Sequence, residues 1–213
     1  GIPEKGNAEK LPQSTKDMQF FNIGTKNYAE VASGDIAKRN ALVGVIKSHE
    51  RSFKTYQEAF ANVVEEVAYT WFNRLIAIRF MEVNDYLPSG VRVLSAANPA
   101  KKEPDIVTNP FETDLKFTAD EQDKIIRLKD ENKLDELFRL LFIKQCNKLH
   151  EILPELFEKT NDYSELLLNL SVIDQDGVIY HLLTDIAEED FNIEMGGQVE
   201  IIGWLYQYYN TEL

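Results

Sequence analysis

The three histidines are the first candidates for acid–base or metal chemistry in this sequence. His49, His150 and His181 lie far apart, and none has a histidine four residues away, as a helical metal site requires. We therefore interpret them as surface or structural histidines. The single cysteine, Cys146, excludes an internal disulfide and a zinc site built from several cysteines, and it suits a reducing cytoplasm.

Three short motifs resemble ligand-binding loops but lack essential positions. Residues 174–177 (Asp-Gln-Asp-Gly) lack the third ligand and the later glutamate of an EF-hand, so they predict a simple turn. Residues 109–111 (Asn-Pro-Phe) lack the second proline of the Asn-Pro-Pro-aromatic loop of amino-methyltransferases, so we interpret them as a proline-rich loop. Residues 196–197 (Gly-Gly) precede no Lys-Ser/Thr pair and predict no phosphate loop. The residues alone predict no catalytic, cofactor-binding or metal-binding site.

Three charged residues inside an apolar stretch need an explanation. Arg74, Arg79 and Glu82 lie within residues 69–88, which are otherwise apolar enough to be buried. Arg79 and Glu82 are three residues apart and can form an ion pair on a helix. Because buried charges need partners, one interpretation is an internal ion-pair network that joins helices. The alternative places the guanidinium groups on a partner domain or a phosphate backbone.

A long helix, at about residues 52–84, must position these charges. Its apolar side chains cover nearly the whole circumference at 100° per residue, which is typical of a central helix wrapped by others. The residues expected at the hub of the bundle are Trp71, Phe72, Leu75, Ile78 and Phe80.

The rest of the sequence also favours helices. We predict helices at residues 35–48, 118–131, 134–153 and 163–170, and another near the end that contains Trp204 and Tyr208. Thr118 with Glu121, and Asp185 with Glu188, have the spacing of capping pairs. Residues 178–183 fit a strand or a helix, and residues 91–94 fit a short strand.

These elements define one predicted fold class. Residues 1–27 read as a loose lead-in, and residues 87–117 form a long connector that contains four of the seven prolines. The predicted fold is mainly α, an irregular helical bundle around the long central helix with little or no β. We expect a single domain that spans residues 1–213.

The charge distribution limits the partners of this chain. The net charge is −13, but residues 1–54 carry nine basic and six acidic residues, whereas residues 155–213 carry Lys159 and thirteen acidic residues. Phosphate neutralisation by basic side chains supplies most of the affinity for DNA, so any DNA contact should come from the first half. We see no membrane span and no signal peptide, and expect a cytoplasmic location.

A resemblance to a known family rests on five segments, residues 11–25, 63–95, 134–158, 166–186 and 197–212. They are similar to the N-terminal region of the PglX-type adenine-specific DNA methyltransferases of BREX phage-defence systems, which resemble type IIG restriction-modification proteins. The most specific segment is Tyr69–Pro88, "YTWFNRLIAIRFMEVNDYLP". The resemblance covers nearly the whole chain.

The resemblance implies an enzyme larger than this chain. The full-length parent would transfer a methyl group from S-adenosylmethionine to adenine N6 at a specific DNA sequence, in host defence. The cofactor motif and the Asn-Pro-Pro-Tyr loop of such proteins lie downstream of the "WLYQYYNTE" segment, so no catalytic or cofactor-binding residue carries over. Since the chain starts at Gly1 and lacks the family's preceding helical segment, we expect a fragment with no cofactor and no activity of its own.

The resemblance also implies partners. They would be the catalytic methyltransferase domain of the same polypeptide, DNA through the parent enzyme, and other defence-system proteins. The predicted residues for contact with DNA or the catalytic domain are Arg74, Arg79, Arg92, Lys101, Lys102, Trp204 and Tyr208.

A different class of function stays open at this point. The acidic last quarter would suit a stand-alone protein-interaction module or a DNA mimic. A mimic must present its carboxylates as an ordered row, whereas the acidic residues of 155–213 alternate with apolar positions.

Overall fold

The computed structural model describes residues 18–22, 28–158 and 163–197. These residues are mainly helical, which confirms the predicted fold class. The helices are α1 (Ile36–His49), α2 (Tyr56–Val83), α3 (Asp105–Thr108), α4 (Ala119–Asp130), α5 (Leu134–Leu149), α6 (Ser164–Leu167), α7 (Val178–Thr184) and α8 (Glu188–Phe191). Among these helices, none combines the length and the apolarity needed to cross a bilayer.

One two-stranded ribbon accompanies the helices. Strands β1 (Met18–Asn22) and β2 (Tyr28–Ala32) pair in antiparallel fashion, with Met18 opposite Ala32 and Asn22 opposite Tyr28. The predicted loose lead-in is therefore wrong at β1, because a ladder partner outside residues 1–27 orders this segment. Little β structure was expected, and this ribbon is consistent with that expectation.

The backbone forms two compact units. The first contains the described residues up to Ala68 and residues 163–167, and the second contains residues 69–158 and 168–197. Helix α2 supplies its first half to the first unit and its second half to the second unit.

The core of the first unit forms where α1 and the first half of α2 pack together. Their buried side chains recur at helical spacing, as an amphipathic face requires. The buried members are Leu42, Ile46, Tyr56, Ala59 and Val63, with the partly buried Val45, Phe53, Phe60, Tyr163 and Leu167 packed against them.

The core of the second unit contains the hub residues predicted on α2. Trp71, Leu75, Ile78 and Phe80 are buried, as expected, and Phe72 is half-buried. The ring of Trp71 lies 6.0 Å from that of Phe142 on α5, which stacks on Phe138 at 5.6 Å. Between residues 71 and 83, every side chain is buried apart from two half-buried ones.

Several predicted boundaries change for identifiable reasons. Helix α5 ends at Leu149 rather than at 153, because Pro154 lacks the N–H that would bond the carbonyl of His150 and its ring clashes with that carbonyl. The ambiguous segment at 178–183 is helical, as α7. The connector is partly ordered by α3 and by a 3-10 turn at Pro110–Glu112.

The two predicted capping pairs have different outcomes. Thr118 and Glu121 form the capping box at the start of α4, as predicted. The pair of Asp185 and Glu188 is wrong, because α8 starts at Glu188 with Ala187 as its cap. Asp185 instead contacts α7, where its carboxylate lies 2.9 Å from Nδ1 of His181.

Candidate functional site

The charged residues of α2 form an ion pair in the interior of the second unit. Nη1 of Arg79 donates to Oε1 of Glu82 at 2.8 Å, and the two side chains are 3% and 0% exposed. The i,i+3 spacing places both groups on one helix face. The ion pair predicted from the sequence is therefore confirmed.

The carboxylate of Glu82 also binds the connector. Its Oε2 accepts the backbone N–H groups of Val93 and Leu94, both at 2.8 Å, and its Oε1 accepts the hydroxyl of Ser95 at 2.9 Å. With Arg79, four donors satisfy one buried carboxylate. The short strand expected at residues 91–94 is wrong, because these amides bind a side chain rather than a neighbouring strand.

The connector is fixed at a second place by α3. The backbone N–H of Asp105 donates to the carbonyl of Ser95 at 3.0 Å, and that of Ile106 donates to the carbonyl of Arg92 at 2.9 Å. The carboxylate of Asp105 accepts the N–H of Ala97 at 2.7 Å. Residues 92–97 are thus held between the carboxylate of Glu82 and the start of α3.

A second carboxylate joins the network from α8. Arg92 holds Glu188 with both terminal nitrogens, at 3.0 Å and 2.9 Å, and Nη2 of Arg79 donates to the same carboxylate at 2.9 Å. We call Arg79, Glu82, Arg92, Ser95 and Glu188 the Glu82 network. The hydrogen bond from Arg92 lowers the pKa of Glu188, an effect that burial opposes. The same hydrogen bond raises the pKa of Arg92.

Asn84 holds the far end of α8. Its side-chain nitrogen donates to the carbonyls of Phe80 and Phe191, at 2.8 Å and 2.7 Å, and its oxygen accepts the N–H of Ile193 at 3.0 Å. The guanidinium carbon of Arg79 lies 5.9 Å from the ring centroid of Phe191. Together with the Glu82 network, Asn84 therefore fixes the four residues of α8 at both ends.

Arg74 is buried at a different place. Its Nη2 donates to the carbonyl of Glu158 at 3.0 Å, and its guanidinium lies 4.7 Å from the ring of Trp71. The burial of Arg74 and Arg79 favours the internal-network interpretation for both. Lys101 and Lys102 are exposed at the tip of the connector, whereas Trp204 and Tyr208 lie outside the described residues.

The histidines and the cysteine form no separate centre in the described part of the chain. Nδ1 of His49 lies 3.0 Å from Asn62 Oδ1, and Nδ1 of His150 lies 2.9 Å from the carbonyl of Phe157. Within the described residues, no three His, Cys, Asp or Glu side chains are placed to hold a metal ion. Burial raises the pKa of the Cys146 thiol to about 12, which leaves it unreactive near neutral pH.

The turn predicted at residues 174–177 is confirmed. Asp174 accepts the N–H of Asp176 with its side chain at 3.0 Å and that of Gly177 with its carbonyl at 3.1 Å, which is a simple turn. Gly197 has a packing role instead, since a Cβ there would lie 2.7 Å from the carbonyl oxygens of Asp190 and Asn192.

Sequence reasoning missed three members of this arrangement. Ser95 and Asn84 are ordinary polar residues with no motif around them, and Glu188 was assigned to a capping pair although it binds Arg79, 109 positions away. One available signal was that charged side chains on a helix buried all round must bind partners elsewhere in the chain.

The fold and the Glu82 network are those of a helical region whose buried charges are bound internally.

No family model matches the chain. A search of characterised proteins shows what it is similar to. It is 48% identical over its whole length to the adenine-specific methyltransferase PglX of Lacticaseibacillus casei (strain Zhang). It is 38% identical over 80% of its length to the adenine-specific methyltransferase BrxX of Escherichia coli O9:H4 (strain HS).

These matches confirm the resemblance to the PglX-type adenine-specific methyltransferases. The chain spans 18% of the length of the first relative and 14% of the second. It is therefore similar to a limited part of each.

Proposed function

We propose that this chain is a non-catalytic, N-terminal helical region of a site-specific DNA methyltransferase in bacterial phage defence. The whole enzyme would transfer a methyl group from S-adenosylmethionine to adenine N6. The observation that carries this proposal is the match to PglX along the entire chain. The same match supports the catalytic domain as the first partner of the region.

The role proposed for the region is scaffolding of the catalytic domain. Arg74, Arg79 and Glu82 bind groups of their own unit, which supports a structural use of these charges. A carboxylate that accepts four donors from two segments holds those segments rigidly, since each lost bond would leave a buried polar group. The connector would thereby be presented in one conformation.

The proposed DNA contact lies at the tip of that connector. Lys101 and Lys102 are exposed, and their loop is closed by the bond from the N–H of Lys101 to the carbonyl of Asn98 at 3.0 Å. A lysine ammonium neutralises a phosphate and releases counterions. Arg92, predicted as a third contact, is bound to Glu188 in this structure.

The test compares two double variants of the full-length methyltransferase. Lys101→Gln/Lys102→Gln removes the proposed contacts, and Lys116→Gln/Lys124→Gln removes two exposed lysines elsewhere in the same unit. Retention of duplex DNA is measured against salt concentration. The first variant should make the slope of log affinity against log salt less negative by about 2, since each lost contact contributes about 0.9. Equal slopes for the two variants would refute the contact.

The scaffolding role has its own test. Removal of the region from the full-length enzyme should abolish or strongly reduce adenine methylation, and the isolated region should transfer no labelled methyl group to DNA. Full activity without the region, or methyl transfer by the region alone, would refute the assignment.

A second candidate function rests on the acidic surface. The side chains of Asp174, Asp176, Asp185, Glu189 and Asp190 are exposed, which would suit a protein-interaction surface or a DNA mimic. Such a mimic should displace DNA from a DNA-binding partner, and a scaffold should not.

A further inference from the structure

One carboxylate of the Glu82 network differs from the other in its access to solvent. Glu82 is 0% exposed, whereas the side chain of Glu188 is 43% exposed although it binds two arginines. Three guanidinium nitrogens lie within 2.9 to 3.0 Å of the Glu188 oxygens. Glu188 therefore lies where a buried cationic site opens to solvent.

The two carboxylates are not equivalent in the charge balance. Oxygens of Glu82 are occupied by Ser95, by two backbone amides and by Nη1 of Arg79. Glu82 thus compensates one positive charge from inside. Glu188 compensates the second, through Nη2 of Arg79 and the fork of Arg92. Without Glu188, these donors would surround a site with one surplus positive charge.

The geometry of these donors suits a phosphate. Arginine presents planar pairs of N–H groups that match carboxylate and phosphate oxygens alike. Glu188 Oε2 accepts from both arginines while Oε1 accepts from Arg92 alone. Two oxygens of a phosphodiester could take the same positions.

The segment that carries Glu188 is short. Helix α8 has four residues, and its N-cap, Ala187, makes no side-chain capping bond. So short a helix has little stability of its own. Its position depends on Glu188 at one end and on the contacts of Asn84 at the other.

We propose that Arg79 and Arg92 form a binding site for a phosphate of the DNA backbone, which Glu188 occupies as an internal competitor in this structure. DNA would displace Glu188 and exchange one anion for another on the same donors. The assignment of this phosphate to DNA rests on the proposed function. The contact is separate from that of Lys101 and Lys102, so either can fail alone.

The test compares Glu188→Gln with Glu189→Gln in the same chain. Both variants remove one negative charge from α8, and Glu189 is exposed, so their long-range electrostatic effects match. The measurement is the affinity for a short DNA duplex at two salt concentrations. Glu188→Gln should bind more tightly than Glu189→Gln, and its advantage should be about threefold larger at 50 mM than at 200 mM salt, as one added phosphate contact requires.

A second change identifies the donors. Adding Arg92→Gln to Glu188→Gln should abolish the gain over Glu189→Gln. Equal DNA affinities of the two single variants would overturn the proposal, as would a gain that survives the loss of Arg92. Either result leaves the lysine test of the proposed function unaffected.

Inorganic phosphate distinguishes the source of the anion. If DNA is the ligand, Glu188→Gln should have a higher affinity for the duplex at constant ionic strength. Thermal stabilisation of this variant by phosphate without a gain for DNA would overturn DNA as the ligand.

The unaltered chain provides a readout that requires no variant to fold. If DNA displaces Glu188, a saturating duplex should accelerate amide exchange at Asp190, whose N–H is bonded to the carbonyl of Ala187 at the Glu188 end of α8. Unchanged or slower exchange at this amide in the DNA complex would contradict the displacement.

Discussion

Each of the two compact units contains an ion-paired carboxylate that connects separate segments of the chain, but the surroundings of the two carboxylates differ. In the first unit, Nζ of Lys38 lies 2.6 Å from Glu165 on α6, and the lysine side chain is 21% exposed. In the second unit, Glu82 is wholly buried and also accepts two backbone amides. A flexible ammonium near solvent can regain water when its partner is lost, whereas a buried guanidinium and two buried amides cannot.

This difference predicts unequal costs for single changes. The buried network should fail by leaving charges and amides unsatisfied, so its loss is expensive. The partly buried pair of Lys38 and Glu165 should cost less to lose, because the lysine side chain already reaches water.

The largest effect is expected for Glu82→Gln. The change leaves the charge of buried Arg79 without its nearest partner and weakens the bonds to Val93 and Leu94. Breaking one partner of a buried pair should lower the free energy of unfolding by about 3 kcal/mol or more. Urea unfolding followed by circular dichroism measures this, with the exposed Glu103→Gln as control. A loss below about 1 kcal/mol would place Glu82 in the class of surface pairs.

A smaller effect is expected for Asn84→Ala. The change removes the side-chain bonds to Phe191 and Ile193 and leaves the Glu82 network in place. With the bond to the carbonyl of Phe80, three hydrogen bonds are lost, which should cost about 1 to 3 kcal/mol. The exposed Asn169→Ala is the control, and amide exchange at Ile193 should accelerate in the first variant alone.

The first unit should tolerate Lys38→Gln. Its pair with Glu165 is partly buried, with the two side chains 21% and 9% exposed, so the loss should be about 1 kcal/mol, well below that of Glu82→Gln. Lys47→Gln, on the exposed side of the same helix, provides the control in the same urea experiment. A loss as large as that of Glu82→Gln would remove the distinction between the two units.

The ion pair of Glu188 with Arg92 and the ion pair of Lys38 with Glu165 should respond to opposite ends of the pH scale. Because the pKa of Glu188 is lowered in the fold, its stabilisation is present above its ordinary pKa and is lost as pH falls through the lowered value. Burial lowers the pKa of Lys38, but the hydrogen bond and charge of Glu165 outweigh that effect and raise it. The lysine pair is therefore stable below its ordinary pKa and is lost as pH rises through the raised value.

The matched measurement compares each variant with the unaltered chain across pH. The stability difference for Glu188→Gln should shrink in acid, and that for Lys38→Gln should shrink in strong base. The reverse dependence in either case would contradict the assigned ion pairs.

The sequence predicts well what depends on local spacing. The pairing of Arg79 with Glu82, the capping box at Thr118 and the apolar circumference of α2 all follow from residues within one helix. The most specific sequence segment for the family resemblance is also the one that contains Arg79 and Glu82.

Hydrogen bonds and ion pairs between segments that are distant in sequence could not be predicted in the same way. The bonds from Val93 and Leu94 to Glu82 use backbone groups, which every residue carries, so no residue type indicates them. Lys38 and Glu165 are 127 positions apart, and many other acidic residues were equally available. The predicted capping pair of Asp185 and Glu188 was wrong because the side chain of Glu188 binds arginines across the unit instead of capping its own helix.

The central claim is that a carboxylate on α2 holds the connector. Amide hydrogen exchange at Val93 and Leu94 tests it most directly. In the unaltered chain, both amides should exchange at least about 100-fold more slowly than free peptide amides, and Glu82→Gln should accelerate them more than the amides of α5. Exchange at the free-peptide rate in the unaltered chain, or equal acceleration at α5, would contradict the account.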